Sequence, residues 1–152
     1  MKSLLILSAL FIVNFSATGQ VKNPNYDSTL AGRLGADEYG MKMYVMVILR
    51  TGSNKVQDKV VRDSLFAGHQ RNIRRLVGLK KLIVAGPIAE NERSYRGIFI
   101  FDVKTIEEAK ELIGPDPTVE QKIFEPEFYK WYGSAALPEY LEASDLIWKI
   151  RP

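Results

Sequence analysis

Met43-Tyr44-Val45-Met46-Val47-Ile48-Leu49 is the stretch that decides the fold. It carries no charge and does not alternate apolar with polar residues, so it reads as a strand buried on both faces. Thr51-Gly52-Ser53-Asn54 ends it. Downstream, from Val56 to Leu79, the period changes. Val61, Leu65, Phe66, Ile73, Leu76 and Val77 recur at spacings of three and four, which makes one apolar helical stripe. Leu82-Ile83-Val84-Ala85 is a second, short strand closed by Gly86-Pro87. Gly97-Ile98-Phe99-Ile100-Phe101-Asp102-Val103 is a third, again nearly continuous in apolar residues.

Thr105 followed by Glu108 has the spacing of a capping box and starts a second helix, with Ile106, Ala109, Leu112 and Ile113 on its inner side. Gly114-Pro115-Asp116-Pro117 breaks that helix, and Thr118 to Lys122 suggests one further turn. Ile123 to Tyr132 is a fourth strand in which Pro126 cannot donate to a ladder, so it needs an edge position or a bulge. Pro138 to Ala143 reads as a short terminal helix and Leu146 to Ile150 as a final extended piece.

The order β-α-β-β-α-β predicts an α+β, ferredoxin-like sandwich. Two helices can cover only one face of a four-stranded sheet. The first and third strands are apolar on both faces, so the second face needs a cover. A second copy of the same sheet, packed face to face about a two-fold axis, is the simplest one. The arm and the C-terminal segment folding back over that face is the alternative.

Upstream of the strand lie two different segments. Met1-Lys2 is a short positive start, Leu4 to Phe15 an apolar run, and Ser16-Ala17-Thr18-Gly19 a small-residue cleavage pattern before Gln20. That is the composition of a secretory signal peptide over 1–19, which predicts a periplasmic or secreted product. The apolar run is interrupted by Asn14 and is shorter than the ~20 residues a membrane anchor needs. Residues 20–41 read as an irregular N-terminal arm, interrupted by Asn23-Pro24-Asn25, Gly32, Gly35 and Gly40; only Leu30 and Leu34 suggest a helical turn. Residues 42–133 form the core domain and 134–152 a C-terminal extension.

Composition narrows the function classes. The chain has 152 residues and no cysteine, which excludes a lipid anchor and any disulfide. Its 21 basic residues lose Lys2 with the leader and face 18 acidic ones, so the mature chain is nearly neutral. The densest basic stretch, Arg71, Arg74, Arg75, Lys80 and Lys81, reads as a solvated helix face. Nucleic-acid binding would need more positive charge with aromatic residues interleaved. One histidine and no cysteine leave no ordinary zinc set. No phosphate loop is present, and Ser64, Ser94 and Ser134 lie outside any nucleophile-elbow pattern. No cofactor is expected.

His69 is the single histidine, hence the one side chain suited to proton transfer near neutral pH without help. It follows Leu65 by four and Phe66 by three and precedes Ile73 by four, which puts it on the apolar stripe facing the sheet. A core histidine with one satisfied hydrogen bond would have the same spacing. Asp116 is the best carboxylate to accompany it. Asp-Pro holds its backbone extended, and this turn can approach the first helix and orient the imidazole. Asp116 as the cap of the turn Thr118–Lys122 is compatible with that role. A pocket between the first helix and the sheet is expected to be lined by Met46, Ile48, Phe99, Phe101, Tyr129 and Trp131. Gly86-Pro87 would admit a ligand close to backbone, and Arg96 could neutralise an anion.

Gly68-His69-Gln70-Arg71-Asn72-Ile73, Leu82 to Pro87, Gly97 to Phe101, Glu107-Glu108-Ala109 and Asp116-Pro117, in that order, resemble the YCII-related (YciI-like) family from about Met43 to Tyr132. The resemblance implies a ferredoxin-like homodimer of the dimeric α/β-barrel type. It also implies an active site around a helical His and an Asp, matching His69 and Asp116. Some relatives remove chloride from chlorinated hydroxyhydroquinones, and the wider superfamily acts on aromatic and polyketide substrates. Two function classes follow. One is an enzyme using His69, with Asp116, as general acid/base on a small cyclic or aromatic substrate. The other is a non-catalytic small-molecule binder or interaction module on the same fold. An open cavity beside His69 favours the first; a collapsed, dry one favours the second.

Overall fold

A computed structural model describes residues 22–149. The expected leader over 1–19, its cut before Gln20, and the end of the expected final extended piece lie outside the described residues. Ten elements follow one another: α1 (Ser28–Leu34), β1 (Met41–Thr51), α2 (Lys59–Gly78), β2 (Leu82–Pro87), β3 (Tyr95–Phe101), α3 (Ile106–Ile113), α4 (Pro117–Glu120), β4 (Phe124–Ser134), a 3₁₀ turn (Leu137–Glu139) and α5 (Tyr140–Ile147). No helix among the described residues is long and apolar enough to cross a membrane.

The sheet order is β2-β3-β1-β4, with every neighbouring pair antiparallel. Each of the two long crossovers, through α2 and through α3, therefore skips one strand. That is the split βαβ arrangement of the ferredoxin-like fold. β4 is an edge strand, as Pro126 requires; Pro126 lies opposite Leu49.

Alternation in the strands separates two faces. Val45, Val47 and Leu49 lie beside Phe101, Phe99 and Gly97, and this face turns toward the helices. With Leu82, Leu76, Val103, Ala109 and Ile113 these residues form the buried core. Tyr44, Met46 and Ile48 lie beside Trp131, Tyr129 and Glu127 on the opposite face, together with Ile98 and Ile100. Tyr44 is buried there under the Trp131 ring, centroids 5.6 Å apart, and its hydroxyl donates to the Ser134 carbonyl at 2.8 Å. Met46, Ile48, Val84 and Ile98 keep partial exposure, and Tyr129 is 42% exposed.

Local chemistry sets the helix limits. Asp58 accepts from the Val61 amide at 3.0 Å and starts α2 three residues later than the apolar pattern suggested, because its side chain competes for the first free N–H groups. Thr105 Oγ1 caps α3 through the Glu108 amide at 3.1 Å. In the arm, Asp27 caps α1 and Gly35 ends it at φ 69°. The terminal helix differs from expectation. It runs on through Leu146 and Ile147, residues whose Leu-Ile-Trp context reads as extended. The ladder begun after Pro138 continues, and only Trp148 turns to extended backbone.

Candidate functional site

His69 sits midway along α2, 7% exposed, and Asp116 precedes α4, fully buried. Helix α2 meets the Asp116-Pro117 turn at Gly68. A Cβ at that position would lie 2.5 Å from Pro117 Cγ. Glycine thus permits the close approach that puts His69 Nδ1 2.8 Å from Asp116 Oδ2.

Asp116 does both jobs the sequence allowed it. Its backbone is extended at φ −71°, ψ 120°, and its Oδ1 accepts from the Thr118 amide at 3.0 Å and from Thr118 Oγ1 at 2.6 Å, capping α4. Its Oδ2 accepts from His69 and from Asn72 Nδ2 at 3.1 Å. Asn72 Oδ1 in turn accepts from Arg75 Nε at 3.2 Å and Nη2 at 2.8 Å, which fixes the orientation of the amide. Burial alone would raise the Asp116 carboxyl. The hydrogen bonds from His69 and Thr118, the charge of the imidazole and the bond from Asn72 outweigh it and hold the group below its ordinary value.

A carboxylate can only accept, so the bond at 2.8 Å assigns the proton to His69 Nδ1 whenever the ring is neutral. The other nitrogen, Nε2, then carries a free lone pair. Nε2 makes no hydrogen bond among the described residues, and no buried side-chain nitrogen or oxygen there lacks a partner. Nε2 is therefore reached by solvent. The opening is a cavity of about 960 Å³ bounded by α2, the sheet, the loop after β1 and α5, and His69 lines it. Three aromatic rings fix the imidazole from its sides: Phe99 stacked at 5.9 Å, Phe124 at 5.6 Å and Phe66 at 6.4 Å, the last two edge-on.

Of the residues expected at the site, His69, Gly86, Pro87, Arg96 and Phe99 line this cavity. Asp116 lies behind His69. Gly86 lines the cavity with its backbone, while a Cβ there, opposite Ile98, would point to the other face of the sheet into open space. The expected lining by Met46, Ile48, Tyr129 and Trp131 is corrected. All four project from the other face of the sheet, and Trp131 packs on Tyr44. Phe101 is on the helix face but wholly inside the core. Sequence reasoning missed Asn72, Thr118 and Gly68. The first two carried a signal: Asn72 is one turn from His69 on the same helix face, and Thr118 is two residues past Asp116 in a capping position.

Among the described residues, no group of three His, Asp or Glu side chains converges in a way that could hold a metal ion. No family model matches the chain, and no curated protein does. Among solved structures, the chain is similar to the 5-chloro-2-hydroxyhydroquinone dehydrochlorinase from Burkholderia phenoliruptrix AC1100, determined in complex with 2,5-dihydroxybenzoquinone. The two share 18% identity at a TM-score of 0.42, over 57% of this chain and 92% of that chain. That degree of likeness assigns no chemistry to this chain.

Proposed function

We propose that the chain is an exported, homodimeric enzyme of the YCII-related type, in which His69 transfers a proton to or from a small cyclic or aromatic substrate. The observation that carries this reading is the accessible Nε2 of a ring whose Nδ1 is held by a buried carboxylate. In the neutral ring the Nε2 lone pair faces the cavity and takes a proton from a substrate C–H or O–H. The imidazolium so formed stays paired with Asp116 and returns the proton to carbon, to a leaving group or to water. Asp116 does not take the proton; it holds the tautomer and offsets the charge, as an orienting carboxylate does beside other catalytic histidines. A base placed this way contributes typically about 10²–10⁴-fold in rate.

The roomy cavity favours this reading over a binder in which His69 would be a dry core residue. Its walls of Phe66, Phe99, Phe124 and Ile73 suit a ring-bearing substrate. The half-exposed apolar side chains on the second face of the sheet support the face-to-face dimer.

Proton NMR in D₂O supplies the test, with 2-tetralone as a probe carbon acid. The wild type is expected to accelerate exchange of the acidic ring C–H over buffer, and His69→Asn is expected to return it to the buffer rate. The melting temperature should move by only a few degrees, roughly what ~1 kcal/mol produces in a domain this size. Exchange that is equally fast in folded His69→Asn would remove His69 from the chemistry.

A further inference from the structure

Four cations line the cavity, Lys55, Arg62, Arg74 and Arg96, and three of them gather at one end. Arg50 pairs with Tyr95 across the sheet, and the Thr51 amide donates to the Ser94 carbonyl at 3.0 Å, so β1 ends where β3 begins. The chain then turns back through Asn54 and Lys55 into the start of α2. Lys55, Arg62 and Arg96 all line the cavity, and their places in the chain put them at this end. Arg62 lies seven residues before His69, roughly 10 Å along the helix axis. Arg96 lies three residues before Phe99, the ring stacked under His69, which is roughly 10 Å of strand. Both intervals point the same way, because α2 starts and β3 starts at the same end of the sheet.

The arginines elsewhere show what a neutralised cation looks like in this chain. Arg33 is paired with Glu139 at 3.1 Å and Arg50 with Glu127 at 2.8 Å. Lys55, Arg62 and Arg96 have no carboxylate partner among the described residues. Among the described residues, Asp145 on α5 is the one carboxylate that lines the cavity, and it forms no ion pair with them. Arg96 is also pre-positioned. Its Nε donates to Thr51 Oγ1 at 2.6 Å, which fixes the guanidinium plane and leaves both terminal nitrogens without a partner among the described residues. Two parallel N–H donors on a fixed guanidinium match the two oxygens of a carboxylate.

We infer that the cavity takes an organic anion: a carboxylate on a ring-bearing apolar body, its charged group held by Arg96 and Arg62 and its reacting group about 10 Å away at His69. This rests on the reading of His69 as the acting base and adds the chemical class of its substrate. The apolar stretch between the two ends is the wall of Phe66, Phe99 and Phe124. A neutral analogue would leave Arg96 desolvated without a counter-charge, so the site discriminates by charge.

Calorimetric titration with naphthalene-2-carboxylate and its neutral carboxamide tests this on the mature protein. The carboxylate is expected to bind at least about tenfold more tightly, the worth of one charge-assisted hydrogen-bond pair. Arg96→Met should remove most of that preference, by weakening the carboxylate and not by loss of the fold, which the melting curve checks. Arg62→Met, on the exposed side of a helix, serves as a second variant should Arg96→Met fold poorly, and is expected to narrow the same gap. Equal affinities for the two compounds, binding of neither, or a preference that survives Arg62→Met together with Arg96→Met would overturn the inference. His69→Asn separates the two readings. A preference intact in His69→Asn with 2-tetralone exchange still at the wild-type rate sinks the base and keeps the anion site. Exchange lost in His69→Asn with no charge preference in the wild type does the reverse.

Discussion

Gly68→Ala is the sharpest probe of how the site is built. On an ordinary helix the change is favourable by up to about 1 kcal/mol, because glycine is the poorer helix former. Here the new methyl would stand 2.5 Å from Pro117 Cγ, about 1 Å inside the optimal carbon–carbon separation. The proline ring is rigid and its residue opens α4, so α2 and the turn must move apart. A shift of about 1 Å takes the Nδ1–Oδ2 bond beyond hydrogen-bonding range. Overpacking costs about 1–3 kcal/mol, and losing a hydrogen bond to a charged group about 1.5–3 kcal/mol. Set against the helical gain, the net loss is about 2–5 kcal/mol, which lowers the melting temperature by roughly 6–15 °C. A misplacement of this size costs on the order of 10²-fold in a proton-transfer rate. Calorimetric melting and 2-tetralone exchange read the two effects separately. A variant that melts at or above the wild-type temperature and exchanges at the wild-type rate would refute the reasoning.

Three further expectations follow from the same geometry. Because the folded carboxyl of Asp116 lies below its ordinary value, the stability it contributes is complete above the unfolded value near 4 and is lost as pH falls through the folded one. The denaturation gap between wild type and Asp116→Asn should narrow over that acid range, whereas a gap constant with pH would separate Asp116 from the ion pair. Ile98 projects from the second sheet face and Phe99 from the helix face; Ile98→Asp should therefore give monomeric or aggregated protein where light scattering of the wild type gives a dimer, and a soluble wild-type monomer would sink the face-to-face arrangement. Intact-mass analysis of the exported product should place its N-terminus at Gln20, open or cyclised, and a full-length membrane-bound chain would contradict the leader.

Much of this architecture can be read in the residues, and the failures have a common physical origin. Met43 to Leu49 and Gly97 to Phe101 identify themselves as two-sided strands. Such a run does not say which parity faces the helices, since both parities are apolar. Met46, Ile48, Tyr129 and Trp131 therefore stand on the parity opposite to the one a pocket lining needs, while Phe99 and Arg96 do line the cavity. His69 was legible from its place on a helical stripe, and Asp116 from its proline. Their meeting depends on the contact between Gly68 and Pro117, and sequence records a helical glycine only as a weakness. Val61, read as part of the inner stripe, is 48% exposed. In α5, Leu146 and Ile147 are 85% and 81% exposed, a pattern that side-chain hydropathy alone reads in reverse.

The central claim is that His69 presents a bare, basic Nε2 to the cavity, and the chain's single histidine allows it to be examined without overlap. The ¹⁵N spectrum of the imidazole, recorded at a pH where the ring is neutral, distinguishes its two tautomers. The geometry predicts a proton on Nδ1, held by Asp116, and an unprotonated Nε2. A neutral ring with its proton on Nε2 would contradict it.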